Sequence, residues 1–262
     1  MSQSTPNAPR TGSGGAVAGS VAAVLAVVGV VAYLSVAGGS DPSPDPSAVG
    51  RQPAAQEPAQ QEPAQQEPVE QEPPAVEAVV VAGCSYQPDE EPPPEPVTPP
   101  TEADVVRGPR TAVVTTDRGI VTIALDGAAA PCAVASFTGL ARQDWFDDTP
   151  CHRLTTEGIF VLQCGDPTGS GAAGPGYAFE DEALEGATYP AGTLAMANAG
   201  PGTNGSQFFL VHADTELPPS YTPFGTITGG LDVVQAVAAA GAEPAGDGAP
   251  VQPVQITDVT VS

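Results

Sequence analysis

The chain has 262 residues, with 31 Asp and Glu against 7 Lys and Arg, and a formal net charge of −24 at pH 7. All seven cations are arginines, so the basic surface that nucleic acid requires is missing and DNA and RNA are excluded as partners. From residue 111 onward, Arg118, Arg142 and Arg153 face 17 acidic side chains, which makes each arginine a scarce group.

Residues 1–15 form a short polar head containing Arg10. Residues 16–37 then run 22 positions without a charge, mostly Ala, Val and Leu. As a helix rising about 1.5 Å per residue, they reach across a hydrocarbon core of roughly 30 Å. Arg10 precedes the run and Asp41 and Asp45 follow it, so the flanking charge places the head in the cytoplasm and the remainder outside. The expected product is a single-pass cell-membrane protein with an extracytoplasmic domain. The alternative is a secreted protein, released by cleavage after the small-residue site Ser35-Val-Ala37.

Residues 38–110 are rich in Pro, Glu and Gln and include a five-residue Gln-Glu-Pro repeat between 56 and 75. Frequent proline blocks helix and sheet while like charges repel, so this stretch is expected to be a disordered, extended linker.

Residues 111–262 have the length of one globular domain. Thr111–Thr116 and Ile120–Leu125 are β-branched runs around Asp117-Arg-Gly119, a hairpin pattern. Pro131 opens a helix to Arg142, with Val134, Phe137, Leu140 and Ala141 on one face. Strands are expected near 151–155, 160–163, 192–197, 207–212, 222–227 and 254–261, with a second helix over 231–239. Eight strands and two helices imply a closed, all-β antiparallel barrel with capped ends. Asp181-Glu182 reads as a solvated loop edge.

Several ordered motifs then combine: His152-Arg153, Phe160-x-x-Gln163, Gly165-Asp-Pro-Thr-Gly169, Met196-Ala-Asn-Ala-Gly200, Asn204-Gly-Ser-Gln-Phe-Phe209 and Phe224-Gly225. Over residues 111–262 they resemble the cyclophilin type of peptidyl-prolyl cis-trans isomerase, in particular its membrane-anchored or exported bacterial members. The resemblance implies an eight-stranded antiparallel β-barrel capped by two α-helices, with a proline groove on its outer face. It implies no cofactor. It assigns catalysis to Arg153 and Gln163, and substrate binding to Phe160, Val161, Ala197, Asn198, Gln207, Phe209, Leu217 and Tyr221. Proline-containing polypeptides of exported proteins are the partners it implies.

The residue chemistry agrees. A guanidinium, always charged, can donate to a prolyl nitrogen only once the twisted bond has restored its lone pair. An apolar slot of Phe160, Val161, Phe209 and Leu217 would hold the ring, and the backbone of Asn198 the substrate chain. His152 neighbours Arg153 on a strand, so its ring points to the opposite face. The segment Glu216–Tyr221 lacks the tryptophan of many family members, which implies weak binding of cyclosporin. The alternative function is a non-catalytic proline-peptide binder at the cell surface.

Four cysteines lie on the exported side, where thiols oxidise. Their spacing matches no metal motif, and both histidines lack ligand partners nearby, so no metal site is expected. At least one disulfide is expected among Cys132, Cys151 and Cys164. Cys151 with Cys164 is preferred because the two flank the hairpin carrying Arg153 and Phe160. Cys84 would pin the linker to the barrel.

Overall fold

The computed structural model describes residues 77–262. The head, the apolar run 16–37 and the linker up to residue 76 lie outside the described residues. Among the described residues no helix is long and apolar enough to cross a membrane.

Two short strands come first, β1 (Val79–Val81) and β2 (Cys84–Pro88), followed by the long hairpin β3 (Pro109–Thr116) and β4 (Gly119–Asp126). Inward positions of this hairpin alternate, with Ala112 and Val114 on one strand and Val121, Ile123 and Leu125 on the other fully buried. At its turn the Thr116 hydroxyl accepts the Arg118 and Gly119 N–H groups.

Helix α1 (Pro131–Ala141) follows, then β5 (Thr149–Pro150), β6 (Arg153–Thr155), β7 (Val161–Cys164), β8 (Tyr177–Phe179), β9 (Thr193–Met196), β10 (Phe208–Val211) and β11 (Pro223–Gly229). Helix α2 (Leu231–Ala240), β12 (Ala242–Glu243), β13 (Asp247–Pro250) and β14 (Gln255–Val261) complete the chain. Each of the eight expected strands and both helices has a counterpart.

The main sheet is antiparallel throughout, in the order β12-β13-β6-β7-β10-β9-β11-β4-β3-β14-β5. Among the described residues the sheet forms an all-β half-barrel in which the eight expected strands lie consecutively, as β6-β7-β10-β9-β11-β4-β3-β14. The additional strands β5, β12 and β13 are two to four residues long, too short to register as periodic runs.

Inside, Phe137 of α1 packs on Phe146, Phe208 and Phe224 at centroid distances of 5.0, 5.5 and 5.7 Å. Val234 and Val237 of α2 line the interior with Val114, Leu162 and Leu210. Both helices thus pack against the interior.

α1 has no side-chain cap of its own. Pro131 starts it and Glu182 supplies the missing acceptor, taking the Cys132 and Ala133 N–H groups at 3.0 and 2.9 Å. This corrects the reading of Asp181-Glu182 as a solvated edge: Glu182 is a remote N-cap, and burial raises its pKa.

Residues 79–88, read as part of the extended linker, instead form a second sheet, β1-β2-β8. The reason is burial of Cys84 and Tyr86, together with the Tyr86 hydroxyl donating to the Cys132 carbonyl and the disulfide Cys84–Cys132. Further along, buried Asp104 accepts from Thr101 and pairs with Arg142 just after α1. These contacts cover the outer side of α1, which explains why every residue from Ala133 to Ala141 is buried.

The preferred pair Cys151–Cys164 is also bonded. In the chain-entropy model the 48-residue separation contributes about 4 kcal/mol and the 13-residue one about 3 kcal/mol. Reduction should therefore lower the melting temperature, and Cys84→Ser should lower it more than Cys151→Ser. Thermal unfolding with and without reductant measures this; an unchanged melting temperature would refute it.

Candidate active site

The strand registers sort side chains by face. Leu154, Leu162, Leu210 and Leu194 are successive partners across β6, β7, β10 and β9, and all are buried in the main core. One residue along, Arg153, Gln163, Phe209 and Ala195 are likewise successive partners, on the opposite, outer face. Val161 pairs with Val211 in the adjacent row of that face. The alternation that fills the core therefore also sets an arginine, an amide and an aromatic ring side by side.

The apolar part is a cluster separate from the core: Val161, Tyr189, Ala195, Phe209 and Val211, with Ala197, Leu217 and Tyr221 packed at its edge. Phe209 and Tyr221 meet edge to face at 5.5 Å, and the Tyr189 hydroxyl donates to the Tyr221 carbonyl at 2.8 Å. Of the expected slot residues, Val161, Phe209 and Leu217 belong to this cluster. Phe160 stands apart, with its ring 5.8 Å from that of His212, which is held by the Thr155 carbonyl.

The polar part is a relay. Arg153 Nη1 donates to Gln163 Oε1 at 3.3 Å, Gln163 Nε2 donates to Gln207 Oε1 at 2.8 Å, and Gln207 Nε2 donates to the Gly171 and Ala173 carbonyls. Every amide group in the chain is used, so Gln163 and Gln207 are fixed in orientation. The loop supplying those carbonyls is itself tied to Asp166, which accepts from Thr168, Ser170, Gly171 and Ala173. Gly165, before this loop, has φ +94°, and a Cβ there would strike the Ser206 carbonyl.

On its other side, Arg153 donates from Nε and Nη2 to Asp247, at 2.7 Å each. This fork raises the arginine pKa and lowers that of the aspartate. Nothing in the sequence marked Asp247 out, because it is one acid among many, on a strand too short to detect.

Asn198 donates from Nδ2 to the Ser220 carbonyl at 2.8 Å. Its backbone N–H and C=O take no partner among the described residues, which leaves them available to a bound chain. A groove of about 530 Å³ runs past Gln163, Gln207 and Asn198 to Pro88–Glu91, a wall from the N-terminal segment that sequence reasoning did not foresee.

A family model described as cyclophilin type peptidyl-prolyl cis-trans isomerase/CLD matches residues 111–261, more than half the chain. The chain belongs to the cyclophilin family. Its curated relatives include "Probable peptidyl-prolyl cis-trans isomerase B" of Mycobacterium leprae, 43% identical over 194 residues, and the protein of the same name in Mycobacterium tuberculosis, 45% identical over 195 residues. Each alignment covers 68% of this chain but only 64% and 63% of the relative, so the chain spans less than two thirds of their lengths. A crystal structure of a Cryptosporidium parvum cyclophilin type peptidyl-prolyl cis-trans isomerase superposes with a TM-score of 0.54 at 27% identity, covering 59% of this chain and 98% of that one. A second structure of that protein, in the presence of the dipeptide Ala-Pro, gives 0.53 at 28% identity.

In this cyclophilin the His152 ring is enclosed beside Gly171. Among the described residues both ring nitrogens lack a hydrogen-bond partner, since the nearby Gln207 amide is committed to Gly171 and Ala173. Burial holds its pKa below the usual histidine range. The unfolded chain takes up this proton more readily than the folded one. The contribution to stability is therefore complete above about pH 6.5 and is lost as pH falls through the lowered folded value. The melting temperature should fall between pH 7 and pH 5 and His152→Gln should reduce that fall, as thermal scans would show; an identical pH dependence in the variant would refute this.

Proposed function

We propose that this chain catalyses cis-trans isomerisation of X-Pro bonds in proline-containing segments of exported proteins. The observation that carries the reading is the row Arg153–Gln163–Phe209 on one face of the sheet: a fixed cation beside an apolar cluster. The C. parvum relative crystallised in the presence of Ala-Pro supports the same substrate class here.

Amide resonance gives the bond a barrier of about 18–20 kcal/mol, and uncatalysed X-Pro isomerisation takes tens to hundreds of seconds. The Phe209 cluster takes the pyrrolidine ring and the Asn198 backbone holds the flanking chain. As the bond twists, the prolyl nitrogen regains its lone pair, and Arg153 donates to it. The planar ground state offers no such acceptor, so the interaction favours the transition state alone.

No proton changes hands. Arg153 remains charged, while Asp247, with its lowered pKa, remains ionised. The activity should thus be flat from about pH 6 to 8. A chymotrypsin-coupled assay of the full chain on an Ala-Pro peptide tests both statements. Failure to accelerate the peptide would overturn the reading in favour of a proline-peptide binder.

The apolar run 16–37, outside the described residues, and two disulfides support export. We therefore place the domain outside the membrane, tethered by that run. Cyclosporin should bind weakly, since Trp145, the only tryptophan, is buried with its Nε1 directed at the Gly165 carbonyl.

A further inference from the structure

We propose that Asp247 is a positioning residue for the isomerase reaction, holding the Arg153 guanidinium so that one N–H on each terminal nitrogen faces the substrate. The inference rests on the isomerase reading above.

A guanidinium carries five N–H groups in a plane. Asp247 accepts from Nε and from Nη2 through its two oxygens, both at 2.7 Å, and Gln163 accepts from Nη1 at 3.3 Å. Those three contacts leave one N–H on Nη1 and one on Nη2. The two acceptors come from different strands, so the plane cannot rotate about the side-chain axis without breaking one of them. Without Asp247 a single long contact to Gln163 remains, on a flexible stem that is 41% exposed.

The chain is built to bring this carboxylate there. Asp247 pairs with Thr155, two residues along β6 from Arg153, which sets its side chain diagonally across from the guanidinium. Gly246 has φ +88°, and a Cβ on Gly248 would collide with the Glu243 backbone, so the start of β13, where Asp247 sits, requires its flanking glycines. In so acidic a domain, carboxylates are abundant; a parallel two-point contact made by a residue held between two glycines is not accounted for by abundance.

The pair is also exposed on both sides, and exposed ion pairs contribute little to stability. Its loss should therefore show in catalysis and not in folding.

The test is a double-mutant cycle on the full chain, using the coupled assay with an Ala-Pro peptide. Asp247→Ala should lower kcat by about tenfold with KM nearly unchanged, since misdirected donors cost the transition state and not the ground state. Asp247→Asn, which keeps one acceptor oxygen, should recover part of the loss. In an Arg153→Ala background, Asp247→Ala should cause no further loss, because its effect passes through the missing guanidinium. A wild-type kcat for Asp247→Ala, beside an impaired Arg153→Ala, would overturn the positioning role and leave the isomerase reading intact. The same fractional loss with and without Arg153 would overturn it too. An inactive wild type would instead remove the reading on which it rests.

Discussion

Arg153→Ala should lower kcat/KM for an Ala-Pro peptide by roughly 100-fold, because a charge-assisted hydrogen bond worth up to about 3 kcal/mol would be lost from the transition state alone. Folding should hardly change. The side chain is 41% exposed, its partner Asp247 is 55% exposed, and neither belongs to the core. Arg153→Lys should be nearly as damaging. A single ammonium cannot reach Asp247 and Gln163 together while directing a further donor at the substrate, whereas the planar fork does. Initial rates by the coupled assay, with melting temperatures alongside, provide the check. Retained activity in Arg153→Lys would show that charge suffices and that the fork geometry is irrelevant.

Phe208 and Phe209 should respond to truncation in opposite ways. Phe208 is fully buried and packs edge to face on Phe137 and Phe146 at 5.5 and 5.6 Å, in the middle of the core. Phe208→Ala should cost about 3–5 kcal/mol, a large share of the 5–15 kcal/mol by which a domain is usually stable. Phe209 lies on the other face, against Tyr189 and Tyr221 in the smaller cluster. Phe209→Ala should leave a folded protein whose KM rises, because the surface that receives the proline ring is removed. Thermal unfolding and peptide kinetics on the two variants separate these effects. An unstable Phe209→Ala with an unaltered Phe208→Ala would mean that the faces are assigned the wrong way round.

The parts of this fold legible from sequence are those with a local physical signature. β-branched runs around Asp117-Arg-Gly119 marked the hairpin β3–β4, and Pro131 marked the start of α1. The residues of the outer-face row were recognisable by motif, but their adjacency is a property of register, set by ladders between strands far apart in sequence. What escaped notice has no local signature. The proline and glutamate around Cys84 pointed to a spacer, yet a disulfide and the burial of Tyr86 override that propensity. Asp247 gains its meaning only from a guanidinium 94 residues earlier in the chain. Phe160 matched the slot motif, and that its ring meets His212, 52 positions later, has no local signature.

The central claim is that Arg153 accelerates bond rotation and does not merely help to bind peptide. NMR exchange spectroscopy on an Ala-Pro peptide reads both quantities in one sample, since binding moves the peptide resonances and catalysis adds exchange cross-peaks between the cis and trans forms. The wild-type protein should give cross-peaks at mixing times far shorter than the uncatalysed tens of seconds. Arg153→Ala should still shift the resonances and give almost no cross-peaks. Cross-peaks that build up in Arg153→Ala at the wild-type rate would contradict the account.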